Sequence, residues 1–105
     1  MPVFDDDDAI SALDRLVVIA QSDTGQARRV ANFLLAWWNA ADCGGFDFTD
    51  LWNVDRAIAD DSLAVARLIA ARNEYPTAYG YGAQFAQLVK DWRPRLFAPA
   101  EAGRA

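Results

Sequence analysis

Residues 25–41 constrain the fold more than any other part of the sequence. Their apolar positions recur at helical spacing and are Ala27, Val30, Ala31, Leu34, Leu35, Trp38 and Ala41. Phe33 and Trp37 widen this stripe until only a narrow polar edge remains. A helix that is apolar around most of its circumference must be buried by neighbours on several sides. The segment therefore predicts the central helix of a compact all-α bundle.

The rest of the chain supplies the neighbours that such a helix needs. Alanine, the best helix former, occupies 21 of the 105 positions. Helical patterns are predicted from Asp8 to about residue 20 and over residues 55–73, where Leu63 belongs to the apolar stripe. A last helical segment carries Phe85, Leu88, Val89 and Trp92. A further short helix is expected to turn Leu51 and Trp52 inward. We expect one domain of four to five helices over residues 1–105, with residues 1–7 and 98–105 flexible.

Helix ends are marked by caps and breakers. Asp23 or Thr24 can cap the central helix, and the run Cys43-Gly44-Gly45 ends it because glycine reaches left-handed backbone angles. Asp47 or Thr49 can cap the short helix that follows. Tyr75-Pro76 is predicted to end the helix over residues 55–73.

The residue types present exclude most familiar enzyme designs. Cys43 is the single cysteine and there is no histidine, which excludes intrachain disulfides, Cys/His zinc sites and Ser-His-Asp or Cys-His nucleophile pairs. No apolar run approaches the roughly 18 residues of a membrane span, and the acidic start does not match a secretory signal. We therefore expect a cytoplasmic protein without a membrane partner, a metal or a cofactor.

The net charge of −5 is unevenly distributed along the chain. Residues 1–8 carry four Asp without a base, and residues 42–61 carry six Asp against Arg56. Residues 62–105 instead hold six bases against three acids. With a single lysine and no basic cluster, direct binding to nucleic acid is disfavoured, whereas a basic protein surface suits the acidic middle.

The triplet Asp23-Thr24-Gly25 is the one that aspartic proteases use. Their chemistry needs two carboxylates that share a proton in a β-rich dimer, and here a strongly helical segment follows at once. A helix cap explains the triplet better. The same cap can hold an anion at Thr24 and Gly25, with Arg28 and Arg29 one turn further on. The alternative is that these two arginines are solvated and bind nothing.

Two groups of acidic residues are candidate sites. Residues 5–8 offer hard oxygen ligands but lack the alternating spacing, the Gly turn and the closing acid of a calcium loop. A larger acidic field comprises Asp47, Asp50, Asp55, Asp60 and Asp61. A pair of these acids can act as general acid and base, yet no nucleophile or phosphate loop accompanies them.

Aromatic residues are unusually frequent for so short a chain. Trp37 and Trp38 are about 100° apart on a helix, so they cannot point in the same direction and one is expected to reach the surface. Core packing is the favoured interpretation for Trp37, Trp38, Trp52 and Trp92. For Tyr75, Tyr79 and Tyr81, core packing and a partner surface are evenly balanced.

Several short stretches carry a family resemblance when they are taken together. They are Ser-Asp-Thr-Gly-Gln at 22–26, Phe-Leu-Leu-Ala-Trp-Trp-Asn at 33–39, Cys-Gly-Gly-Phe-Asp at 43–47, Asp-Leu-Trp-Asn-Val-Asp at 50–55, Tyr-Gly-Tyr-Gly at 79–82 and Trp-Arg-Pro at 92–94. Over about residues 13–96 the chain resembles a family of short, all-helical, uncharacterised bacterial proteins associated with integrative and conjugative elements. The resemblance implies an accessory role on mobile DNA, such as blocking host defence by binding a host complex. It implies no catalytic residue or ligand.

These observations favour a non-catalytic protein–protein interaction module. The expected partner is a protein with a basic surface, such as a nucleic-acid-binding host complex. The predicted partner-binding residues are Asp47, Asp50, Asp55, Asp60, Asp61, Tyr79 and Tyr81. The alternatives are a small anion-binding domain or carboxylate-dependent enzyme, and a structural protein that forms homodimers through Trp37 or Trp38.

Overall fold

The computed structural model describes residues 6–96, and all regular structure in that range is helical. The α-helices are α1 (Asp6–Ala20), α2 (Gly25–Cys43), α3 (Arg56–Arg72) and α4 (Gly82–Trp92). Three short 3₁₀ helices connect or follow them, namely η1 (Phe48–Asn53), η2 (Pro76–Tyr79) and η3 (Pro94–Leu96). The predicted all-α bundle is confirmed.

Polar contacts between helices show how they run. Arg15 pairs with Asp61 and Arg72 with Asp6, so α1 and α3 are antiparallel. Near its start α2 contacts the N-cap residue Asp55 of α3 through Gln26, and further along Trp37 reaches Glu74 beyond the end of α3. Helices α2 and α3 therefore run in the same direction.

The core is apolar and takes residues from all four helices. Its largest fully buried aliphatic side chains are Leu13, Leu16, Val30, Leu34, Leu35, Val65, Leu68 and Leu88. Phe85 of α4 is also fully buried and lies against Trp37 and Trp38. Between Gln26 and Trp38 only Arg28 is exposed, which confirms α2 as the enclosed helix.

The caps of α2 act largely as the sequence predicts. Thr24 Oγ1 accepts a hydrogen bond from the Ala27 N–H at 3.0 Å, so Thr24 rather than Asp23 is the cap. Gly44 ends the helix with a φ of 95°. Asn39 has non-helical dihedral angles, and its side chain accepts from the Asp42 N–H at 3.2 Å, which restarts the last turn. That turn brings Cys43 into the core, whereas Ala41 of the predicted stripe is exposed.

Some local predictions are wrong. The first helix already includes Asp6, two residues before the predicted start. The rest of the two segments predicted to be flexible, residues 1–5 and 98–105, lies outside the described residues. Asn73 ends α3 in the left-handed conformation before Tyr75-Pro76 is reached. Leu63, predicted in the apolar stripe of α3, is 53% exposed.

Trp52 is the most consequential wrong prediction. It was expected to point inward, yet it is 81% exposed. Successive residues of a 3₁₀ helix are about 120° apart, because each turn takes three residues. The geometry that turns Leu51 partly toward the core therefore turns Trp52 to solvent.

No helix among residues 6–96 combines the length and the apolarity that crossing a bilayer requires.

Candidate functional site

The five predicted partner-binding aspartates are largely engaged within the domain. Asp61 accepts two hydrogen bonds from Arg15, both at 2.9 Å. Arg29 lies 3.6 Å from Asp50, and Arg56 lies 3.4 Å from Asp60 one turn along α3. These ion pairs offset much of the charge, so the acidic field is weaker than the sequence indicates.

The other two acids organise the chain between α2 and α3. Asp47 caps η1, accepting from the Thr49 N–H at 2.9 Å and from its hydroxyl at 2.7 Å. These hydrogen bonds lower the pKa of Asp47, because they favour the charged carboxylate. The Asp55 N–H donates to Gln26 Oε1 at 2.6 Å, and Gln26 Nε2 donates back to the carboxylate at 3.3 Å.

The predicted tyrosine Tyr79 lies apart from the predicted aspartate Asp50. Tyr79 lies against Trp37, with ring centroids 6.3 Å apart, whereas Asp50 contacts Arg29. Arg29 and Trp37 are eight residues apart, which corresponds to about 12 Å along α2. Tyr81 donates from its hydroxyl to Asp14 of α1 at 3.1 Å.

Both tyrosines are half-buried and hydrogen-bonded. Tyr79 donates to Glu74 Oε1 at 3.2 Å, and Tyr81 donates to Asp14. Burial first, and then the carboxylate acceptors, raise the pKa of both phenols. Their hydroxyl groups therefore contribute to packing of the domain more than to its surface.

The predicted anion site is used internally. The Thr24 hydroxyl oxygen is committed to the helix cap. Arg29 folds back so that Nη1 donates to the Gly25 carbonyl at 3.4 Å while Nε faces Asp50. Thr24, Gly25 and Arg28 are exposed and Arg29 is half-buried, but the Thr24 oxygen and the Arg29 guanidinium are already engaged within the domain, which favours a structural cap over an anion site.

Candidate catalytic or metal-binding groups are sparse in the described part of the chain. Among residues 6–96, no three acidic or cysteine side chains are grouped so that they can hold a metal ion. Asp5 of the acidic start lies outside that range. Cys43 is buried, and this burial raises the pKa of its thiol, so the thiol is poorly suited to act as a nucleophile.

The chain between α2 and α3 presents aromatic side chains to solvent. We call residues 46–55 the acidic–aromatic segment. Phe46 anchors it, with its ring edge-on to Phe33 of α2 at 5.2 Å and to Phe48 at 6.0 Å. Phe48 is 76% exposed and Trp52 is 81% exposed. Since each such side chain has about 150–250 Å² of surface, roughly 300 Å² of aromatic surface faces water.

Sequence reasoning did not identify this pair. Phe48 was not singled out, and Trp52 was assigned to the core. The sequence nevertheless contained a signal. The short connection between Gly45 and Asp55 carries three aromatic residues, Phe46, Phe48 and Trp52, and so short a segment cannot bury all three.

A second aromatic surface lies near the other end of α2. We call it the aromatic groove; it is an open depression of about 410 Å³ and is lined by Ala36, Trp37, Ile69, Asn73, Glu74 and Tyr75. Tyr75, 64% exposed, also borders an adjoining depression with Trp38 and Thr77. Trp37 and Trp38 are both half-buried, so neither tryptophan is exposed at the surface as the sequence predicts for one of them.

The fold and these surfaces define a small all-α domain that displays aromatic side chains at two places. The model of a family of unknown function, DUF7673, matches residues 10–93, and the chain belongs to that family. This confirms the prediction of an uncharacterised family. No curated protein and no solved structure matches the chain.

Proposed function

We propose that this chain is a non-catalytic protein–protein interaction module that docks on a basic surface of a protein partner. The observation that carries the proposal is the exposure of Phe48 and Trp52, both of which belong to the short helix η1. Monomeric proteins rarely leave large aromatic side chains exposed together without a use for them, and Trp is enriched among interface anchors.

The area of this aromatic surface shows how much further contact area a stable interface needs. Burying roughly 300 Å² is worth about 7 kcal/mol, while association costs about 4–15 kcal/mol. The two rings therefore anchor the interface but do not suffice for it. A stable contact needs about 800 Å² from each partner, so residues around the rings take part as well.

The residues around the rings are acidic. The acidic–aromatic segment contains Asp47, Asp50 and Asp55 and no basic residue. Arg29 offsets Asp50, which leaves Asp47 as the carboxylate next to Phe48. A partner with an apolar pocket bordered by Lys or Arg complements this arrangement, and the carboxylates increase its rate of association.

This location refines the set of residues predicted from sequence. Asp60 and Asp61 lie on α3 in ion pairs, and Tyr79 and Tyr81 are half-buried, so the proposed contact is centred on η1 instead. The biological setting proposed is that of a bacterial mobile-element accessory or anti-defence factor of the anti-CRISPR kind. It rests on the sequence resemblance and fits a basic, nucleic-acid-binding host complex.

Affinity capture with paired variants tests the proposal. The test variant combines Phe48→Ala with Trp52→Ala, and the control combines Val18→Ala with Leu63→Ala, whose side chains are 61% and 53% exposed elsewhere. We expect a protein retained by the wild type and the control to be lost from the test variant. Raising the salt concentration should weaken its retention, because salt screens the attraction between the carboxylates and a basic surface.

Two outcomes contradict the proposal. One is retention of the same protein by the Phe48/Trp52 variant while circular dichroism shows that the variant is folded. The other is light scattering that shows a wild-type dimer abolished by that variant, which instead favours the self-associating structural protein.

A further inference from the structure

The aromatic groove has the composition of a site for a cationic side chain. The residues that line it include two aromatic residues, Trp37 and Tyr75, and one acidic residue, Glu74. We infer that this groove binds the guanidinium group of an arginine side chain on a protein partner. This site is separate from the acidic–aromatic segment and does not depend on the function proposed for it.

The Trp37 wall is held in place before any ligand arrives. Its Nε1 donates to the Glu74 carbonyl oxygen at 3.0 Å, which ties α2 to the turn after α3. Phe85 meets the indole edge-on at 5.9 Å, and Tyr79 lies 6.3 Å away. A fixed ring loses little conformational entropy on binding, which favours affinity.

The charge of the groove favours a cation. Glu74 is exposed, and its Oε1 accepts a hydrogen bond from the Tyr79 hydroxyl at 3.2 Å. Arg72, the nearest base in sequence, is paired with Asp6. Arg72 also interacts electrostatically with Glu74, so one guanidinium group is shared between two carboxylates and a net negative charge remains that can attract a cation to the groove.

Arginine fits this groove better than lysine or an apolar side chain. Its planar guanidinium stacks on aromatic rings and donates two parallel hydrogen bonds to a carboxylate. Lysine offers a compact, strongly hydrated charge that stacks less well. An apolar side chain offers the Glu74 carboxylate no hydrogen-bond donor and no opposite charge.

Titration with blocked amino acids tests the inference on the full chain. The probes are N-acetyl-arginine amide, its neutral isostere N-acetyl-citrulline amide, and N-acetyl-lysine amide. Two-dimensional NMR follows the Trp37 indole N–H and the amides of Glu74 and Tyr75. We expect saturable shifts with arginine, weaker ones with lysine and none with citrulline.

Surface variants make the test specific to the groove. Tyr75→Ala and Glu74→Gln should each weaken arginine binding about three- to tenfold, as expected for a cation–π or ionic contact. Trp52→Ala is the matched control, an exposed aromatic residue outside the groove, and should leave arginine binding unchanged. It should still impair partner capture, so the two proposals fail separately.

Three results overturn the inference. They are the absence of shifts at the groove with arginine, equal shifts with citrulline or lysine, and arginine binding that survives both Tyr75→Ala and Glu74→Gln. Because both residues are exposed, neither variant is expected to unfold the domain.

Discussion

Phe48 and Phe85 should respond very differently to the same substitution. Phe48 is 76% exposed, whereas Phe85 is fully buried between the two tryptophans of α2. Phe48→Ala removes roughly 50 Å² of buried surface, worth about 1 kcal/mol, together with an edge-on contact to Phe46. That ring contact adds about 0.5–1.5 kcal/mol, so the total loss should be about 1.5–2.5 kcal/mol.

Phe85→Ala leaves a cavity in the core and should lower the free energy of unfolding by about 3–5 kcal/mol. Urea denaturation followed by circular dichroism measures both losses, provided that the slope of unfolding free energy against urea is the same for each variant. Equal destabilisation by the two substitutions would refute the reasoning. It would mean that Phe48 is buried in the protein in solution, for example in a homodimer.

Three further predictions concern the cap, the tyrosines and the cysteine. Thr24→Ala should lower the free energy of unfolding by about 1 kcal/mol, while the control Asp23→Ala should change it by less than about 0.5 kcal/mol. Equal losses of stability in thermal denaturation would contradict the assignment of Thr24 as the cap. Because the folded state raises the pKa of Tyr79 and Tyr81, it holds their protons more tightly, so the free energy of unfolding should fall as pH rises above about 10. A Tyr79→Phe/Tyr81→Phe variant should show a flatter decline, and an unchanged pH profile would contradict this cause. Cys43, buried with a raised thiol pKa, should react with iodoacetamide far more slowly in the native protein than in urea, and rapid native labelling would show that the last turn of α2 is open.

The sequence was sufficient to predict the enclosed helix and its ends. The apolar stripe of α2 and the cap at Thr24 are local patterns, and the structure confirms both. Local patterns also predicted the apolar residues of α4, where Phe85, Leu88 and Val89 are buried. Such features depend on helical periodicity and on backbone hydrogen bonds within a few residues.

The surface was harder to predict because it depends on contacts between distant residues. Arg15 and Asp61 are 46 residues apart, and only their helices' antiparallel packing shows that this aspartate is paired. The apparent acidic field therefore contained ion pairs that charge counting along the chain did not reveal. Trp52 was assigned to the core by residue type, but a short 3₁₀ helix provides too little cover for it.

Hydrogen–deuterium exchange of the chain, alone and bound to the protein that it captures, tests most directly where the partner docks. We expect the bound chain to show new protection of backbone amides from exchange, concentrated in residues 46–55. The amides of the core helices should already be protected in the free chain. Protection that leaves those residues unchanged and appears on another face would contradict it.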